Sequence, residues 1–266
     1  MTQAIVYRAS RWLGGMLASV KLAEHRAIEG PDGRRWRKRR RPWAGAVVAA
    51  GNACLAVSGV PQRMLAREAW AAREIETYAL AYGARVERVA PDAVLLPALP
   101  GVTAASVLAS RETSADEKAR ILTAAARGLA ALHHLVVRAA GGSTQAFSHG
   151  DPTVANVLWD SATGRASWLD FDVGHDGRRS DLERRVDDLR TLAYSAAAEL
   201  APDEYGLVSA SLVTGYADRG VLGALCTRLR VPASPLLPLW SAYVPRRLAE
   251  ARAFEATLRA GLEAGL

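Results

Sequence analysis

The feature that most limits the folds open to this chain is a pair of short apolar runs near its middle, VLWD (157–160) and ASWLDFD (166–172), divided by SATGR. Thr163 and Gly164 are turn residues, so the runs read as an antiparallel β-hairpin. Polar side chains crowd its open end. HGDPTVAN (149–156) leads in, with Asn156 just before the outgoing strand and Asp170 just after the returning one. Hairpin pairing carries both to the same end, and Asp151 lies in the loop leading there. Three oxygen-bearing side chains at the end of a small sheet are the hard ligands that Mg²⁺ takes when it shares its shell with phosphate oxygens, so the spacing points to a nucleotide phosphate site.

The flanking segments are helical by pattern. Ser114 and Glu117 form a capping-box pair ahead of Ile121, Ala125, Leu129, Leu132 and Val136, which recur at helical spacing. After the hairpin, LERRVDDLRTLAYSAAAEL (182–200) reads as a further helix, and the last sixty residues as mostly helical with interruptions at Pro232, Pro235 and Pro238. Upstream, REAWAAREIETYALA (67–81) places Trp70, Ile75 and Tyr78, with Ala71 and Ala79, on an inner helical face that Gly83 closes. AVLLPALPG (93–101) is a short strand stopped by prolines and a glycine, the texture of a linker leaving a sheet. Residues 1–97 and 98–266 are therefore expected to form an amino-terminal and a carboxyl-terminal lobe.

With 266 residues and 50% apolar content, the chain can bury a proper core without staples. Cys54 and Cys226 match no metal-ligand spacing and read as ordinary thiols. The first residues, MTQAIVYRASRW, lack the pattern of a secretory signal, so a cytoplasmic location is expected. A net charge of +7 and a pI near 9.8 favour anionic partners. Seven basic residues surround Trp36 in RRWRKRRR (34–41), and PWAGAVVAAGNACLAVSGVP (42–61) follows, too weakly apolar for a spanning helix and better suited to a buried or interface-lying one. The two segments together are expected to make a peripheral contact with an anionic membrane at its cytoplasmic face. With only Trp36 and Trp43 interleaved, the run is a thin basis for nucleic-acid binding.

HGDPTVAN followed by LDFD resembles the catalytic loop and metal-binding motif of the protein-kinase-like superfamily, in the form used by aminoglycoside and choline kinases and by lipopolysaccharide core (heptose or Kdo) kinases. The pattern is a histidine, any residue, an aspartate, four residues, an asparagine, then a hairpin ending in Asp-Phe-Gly or a variant. His149, Asp151, Asn156 and Asp170 fill it in order. The resemblance implies an α+β, bilobal fold with a small β-rich amino-terminal lobe and a mainly helical carboxyl-terminal one. It also implies an ATP- and Mg²⁺-dependent phosphotransferase in which Asp151 orients the acceptor hydroxyl while Asn156 and Asp170 hold the metal against the phosphates. His149 takes a structural role. In RVDDLRTL (185–192), Asp188, with Asp187 as the alternative, resembles the helical aspartate that braces the catalytic loop.

The same resemblance requires a lysine for the nucleotide phosphates and a glutamate to orient it. Lys38, in an alternating run after a turn at Asp32 and Gly33, is the candidate lysine, since Lys21 lies too early. Glu74 is the candidate glutamate, with Glu68 and Glu76 as alternatives. Pro97 and Leu99, at the lobe boundary, are expected to line the nucleotide site. No GxGxxG precedes Lys38, and Gly14 and Gly15 are a poor substitute. The long insertion between Lys38 and Glu74, behind its arginine run, resembles the lipopolysaccharide-kinase branch, which implies a sugar hydroxyl of a glycolipid as acceptor. A small-molecule kinase, a Ser/Thr protein kinase and a nucleotide-holding pseudokinase are the competing readings.

Overall fold

The computed structural model describes residues 21–30, 33–57, 61–138, 144–229, 245 and 247–266. Gly14, Gly15, Asp32 and the three prolines at 232, 235 and 238 lie outside them.

Alternation along the basic run decides the amino-terminal sheet. β1 (Ala23–Gly30) and β2 (Gly33–Arg40) pair antiparallel, and with β4 (Glu87–Ala90) and β5 (Ala93–Pro97) they form a four-stranded antiparallel sheet in the order β1-β2-β5-β4. Because strand side chains alternate between faces, the run is split. Lys38 and Arg40 point inward and are buried, whereas Arg35, Arg37 and Arg39 belong to the other face, where Arg35 meets Glu87 and Arg39 meets Asp92.

The apolar stretch behind it forms helix α1 (Ala44–Val57), which holds no charged residue. Only Ala44, Val48 and Leu55 are buried, and Trp43 and Val57 are largely exposed. Among the described residues no helix is long and apolar enough to cross a membrane. α2 (Arg67–Tyr82) ends where predicted, on a left-handed Gly83. Its inner face differs from the apolar one expected: Trp70, Ala71, Glu74, Thr77 and Tyr78 are buried, Ile75 is only half-buried and Ala79 is exposed. The helix turns a carboxylate inward because a buried cation awaits it.

The carboxyl-terminal half is mainly helical: α3 (Ala104–Ala109), α4 (Ala115–His133), α5 (Asp181–Glu199), α6 (Gly206–Gly215), α7 (Arg219–Arg228) and α8 (Leu248–Gly265). The Ser114 side chain caps α4 by accepting from Glu117 N at 3.2 Å, but the Glu117 carboxylate turns to Trp159 Nε1 at 2.7 Å instead of closing a capping box. The reciprocal box stands at α5, between Ser180 and Glu183. α4 stops at His133, so Val136 is not a helical core residue. It lies exposed in β7 (Val136–Arg138), paired with β8 (Thr144–Ala146). β-branched Val136 and Val137 suit a strand better than a helix end. The hairpin forms as expected from β9 (Val157–Asp160) and β10 (Arg165–Trp168), and β6 (Val102–Thr103) joins β9 on its other edge.

One small sheet had no local signal. β3 (Gln62–Met64) pairs with β11 (Val173–His175), joining the segment before α2 to the residues just past Asp170. Aromatic edges complete the join between the halves: Phe171 is fully buried, with ring centroids 5.8 Å from Tyr78, 5.8 Å from Phe147 and 5.0 Å from His149. The result is a β-rich amino-terminal half and a helical carboxyl-terminal half, the bilobal architecture expected of a kinase-like fold.

Candidate active site

The sheet, α2 and the hairpin each deliver one charged group to a common point. Lys38 Nζ from β2 lies 2.5 Å from Glu74 Oε1 of α2 and also donates to Asp170 Oδ1 beyond β10. Lys38 and Glu74 are 2% and 0% exposed, so neither can leave its charge to solvent. Burial works against the ammonium, but the carboxylates of Asp170, Glu74 and Asp172 outweigh it and hold Lys38 well above the ordinary lysine range. Glu68 and Glu76 are not at this point. Glu74 also accepts from Trp70 Nε1 at 3.3 Å, and the Lys38 ammonium lies 5.6 Å from the Trp70 ring centroid.

Across from this pair stands the catalytic-type loop. Asn156 Nδ2 donates to the Asp151 carbonyl at 2.9 Å and to its carboxylate at 3.1 Å, which leaves the amide oxygen as the atom available to a cation. Leu169 N donates to Asn156 O at 2.8 Å, so Asp170 follows one residue past that contact. Asp170 adopts φ +63°, a left-handed conformation uncommon outside glycine and asparagine, of the kind that persists where surroundings over-determine it. Asp151, Asn156, Asp170 and Asp172 are all half-buried.

The electrostatics of the carboxylates fit a divalent cation. Burial and then the Asp170 and Asp172 charges push Asp151 well above the ordinary aspartate value. Burial and the Asp170 carboxylate likewise raise Asp172. Burial also opposes charge on Asp170, but Lys38 more than compensates and lowers it. Such a cluster is short of positive charge. Among the described residues no three His, Cys, Asp or Glu side chains gather closely enough to hold a metal alone. The protein atoms that could hold a Mg²⁺ ion are Asn156 Oδ1 and the Asp170 carboxylate, the remainder of its shell being water and substrate phosphate oxygens.

The loop itself is held from beneath. Asp188, fully buried on α5, accepts from His149 N at 2.6 Å and Gly150 N at 2.8 Å and contacts His133 Nε2 at 2.9 Å. Burial opposes its charge, yet His175 and His133 bring it down to about 2. Asp187, the alternative brace, does not touch the loop backbone; its carboxylate accepts from Gln62 and Arg190 and meets His175 Nε2 at 3.1 Å. Gly150 has φ +85°, and a Cβ there would come within 2.9 Å of the Gly174 backbone, so the residue between His149 and Asp151 must be glycine.

Three participants had escaped the sequence reading. Arg73, one residue before Glu74, donates to the Ser148 carbonyl, and its guanidinium carbon lies 4.5 Å from the Phe147 ring centroid; burial lowers its pKa to about 10. It ties α2 to the start of the His149–Asn156 loop. Asp172 meets Arg40 at 3.6 Å. His175 Nδ1 contacts Ser148 Oγ at 2.9 Å. The signal for Arg73 was an arginine on a helix flank beside the chosen glutamate, and Asp172 closes the LDFD motif itself; nothing local marked His175. Pro97 ends β5 opposite Arg35, and Leu99 packs half-buried against the core, both at the junction of the halves.

His149 gives the site a pH signature. Its Nε2–H donates to Leu169 O at 3.0 Å, and burial lowers its pKa from 6.5 to about 4. Between those values the unfolded chain takes up a proton that the folded one refuses, so stability is full above pH 6.5 and falls as the pH drops towards 4. At pH 5 the loss from this residue is about 2 kcal/mol. Chemical denaturation at pH 7.5 and pH 5 should show a drop larger by about that amount in the wild type than in His149→Gln. Equal drops would mean the imidazole is not held neutral.

Neither protein-family models nor curated proteins return a match to the chain. Among solved structures, the chain is similar to one described as the structure of vaccinia related kinase 3, at 16% identity over 96% of this chain and 94% of that one, with a TM-score of 0.35. So low a score lends the site no weight, and its chemistry stands on the geometry above.

Proposed function

We propose that the chain is an ATP-dependent phosphotransferase that moves the terminal phosphate of a nucleotide to an alcohol acceptor. The observation that carries this is the meeting of Lys38 with Glu74 (2.5 Å) and Asp170 opposite the Asp151–Asn156 loop. Glu74 aims the ammonium, Lys38 holds phosphate oxygens, and Asn156 and Asp170 supply metal ligands. When bound, Mg²⁺ neutralises charge developing on the transferred group. Asp151, with its raised proton affinity, accepts or orients the proton of the acceptor hydroxyl. A pseudokinase scaffold would not need all of these groups intact.

For the acceptor we favour a sugar hydroxyl of an anionic, lipopolysaccharide-type glycolipid. The net charge of +7 suits phosphorylated sugars better than polycationic aminoglycosides, whose sites gather acidic residues. The exposed, uncharged α1, which follows the arginine run directly in the chain, supports meeting that acceptor at an anionic membrane surface. Incubation with γ-labelled ATP and Mg²⁺ in separate pools of lipopolysaccharide, small amines with aminoglycosides, and generic protein tests the acceptor. Label should enter the first pool. Label in another pool would replace the acceptor class, and nucleotide binding with no transfer to any pool would favour the scaffold reading.

A further inference from the structure

Lys38 is already engaged by two carboxylates, Glu74 and Asp170, so it cannot by itself neutralise a triphosphate. In phosphotransferases a glycine-rich loop commonly covers the phosphates with backbone N–H groups, and no GxGxxG precedes Lys38. Among the described residues, a further donor is to be sought on the same side of the sheet. The strand register identifies one. His25 on β1 stands directly opposite Lys38 on β2. Residues directly opposite on antiparallel strands share a face, with Cβ atoms about 4.5–5.5 Å apart. Lys38 points from that face to Asp170, so His25 belongs to the inner face too, at the free edge of the sheet, and it is exposed. Burial disfavours added positive charge on it most, then Lys38, while Asp170 favours it and Lys21 disfavours it, so two of its charged neighbours are groups of the site.

We propose that His25 is a nucleotide-contacting residue that donates an imidazole N–H to the phosphate oxygens, standing where a glycine-rich loop would otherwise supply donors. This rests on the phosphotransferase reading of the site. Arg26, the next residue, projects to the opposite face across from Arg37 and serves as the control for loss of a basic side chain from the same strand.

Calorimetric titration of the full chain with Mg–ATP, Mg–ADP and adenosine, alongside melting curves, tests it. His25→Ala should weaken Mg–ATP and Mg–ADP by about five- to tenfold, leave adenosine binding and melting temperature unchanged, and be partly rescued by His25→Gln, which keeps an N–H donor. Arg26→Ala should change none of these by as much as twofold. His25→Ala binding Mg–ATP like the wild type, or losing adenosine and Mg–ATP equally, would overturn the proposal while leaving the nucleotide site standing. A wild-type chain that binds no nucleotide would remove the site and His25's role together.

Discussion

Replacing Asp151 by asparagine is expected to leave the fold and Mg–nucleotide affinity intact while phosphate transfer falls by about a hundredfold to ten-thousandfold. Asparagine keeps the size of the side chain and an acceptor oxygen for Asn156 Nδ2, now 3.1 Å from the carboxylate, so the loop retains its contact. The ability to take a proton is what goes. Burial and the neighbouring Asp170 and Asp172 charges raise the proton affinity of Asp151, which suits a group that must accept a hydroxyl proton as the oxygen attacks. If Asp151 were only a brace for the loop, stability and nucleotide affinity would fall together instead. Melting temperature, nucleotide affinity and transfer measured on one preparation separate the two, and a stable variant with undiminished transfer would remove Asp151 from the mechanism.

Asp188→Ala should be the most damaging single truncation in the loop's support, costing about 3–5 kcal/mol of stability. The carboxylate satisfies two backbone N–H groups, of His149 and Gly150, and contacts His133, all in a region closed to water. Removal strands those donors in a site where unmade hydrogen bonds cost their full desolvation. The catalytic loop would lose its anchor one residue before Asp151, so nucleotide-dependent transfer should fall with stability. Denaturant unfolding of Asp188→Ala reads the loss directly. A midpoint within experimental error of the wild type would show that the loop is held by other means.

The site was legible where chemistry and local pattern coincide. His149, Asp151, Asn156 and Asp170 stand at fixed offsets around a hairpin whose turn residues and apolar runs are local signals, and the fold brings them to one end of it. Lys38 stands among six arginines as the one lysine of the run, strand alternation sends it inward, and it meets Glu74, the glutamate chosen for it, although the inner face expected of α2 was purely apolar. What could not be read depends on distant pairing. β3 meets β11 across 109 residues, from Met64 to Val173, and no local pattern in either segment announces the other. The roles of Arg73, Asp172 and His175 follow from that long-range packing. The end of α4 was misplaced because Val136 continues the helical spacing by coincidence, while the chain turns at His134 into a strand.

On the proposed function, Asn156 and Asp170 hold a metal ion that binds together with the nucleotide phosphates. The most direct measurement is the melting temperature of the full chain with ATP, with Mg²⁺ and with both, for the wild type and for Asp170→Asn, a substitution that tolerates the left-handed backbone at this position. ATP at about a hundred times its dissociation constant should add about 2.7 kcal/mol, a rise of several degrees, in the wild type only when Mg²⁺ is present, and the rise should vanish in Asp170→Asn. An equal rise without Mg²⁺, or an undiminished one in Asp170→Asn, would contradict the assignment.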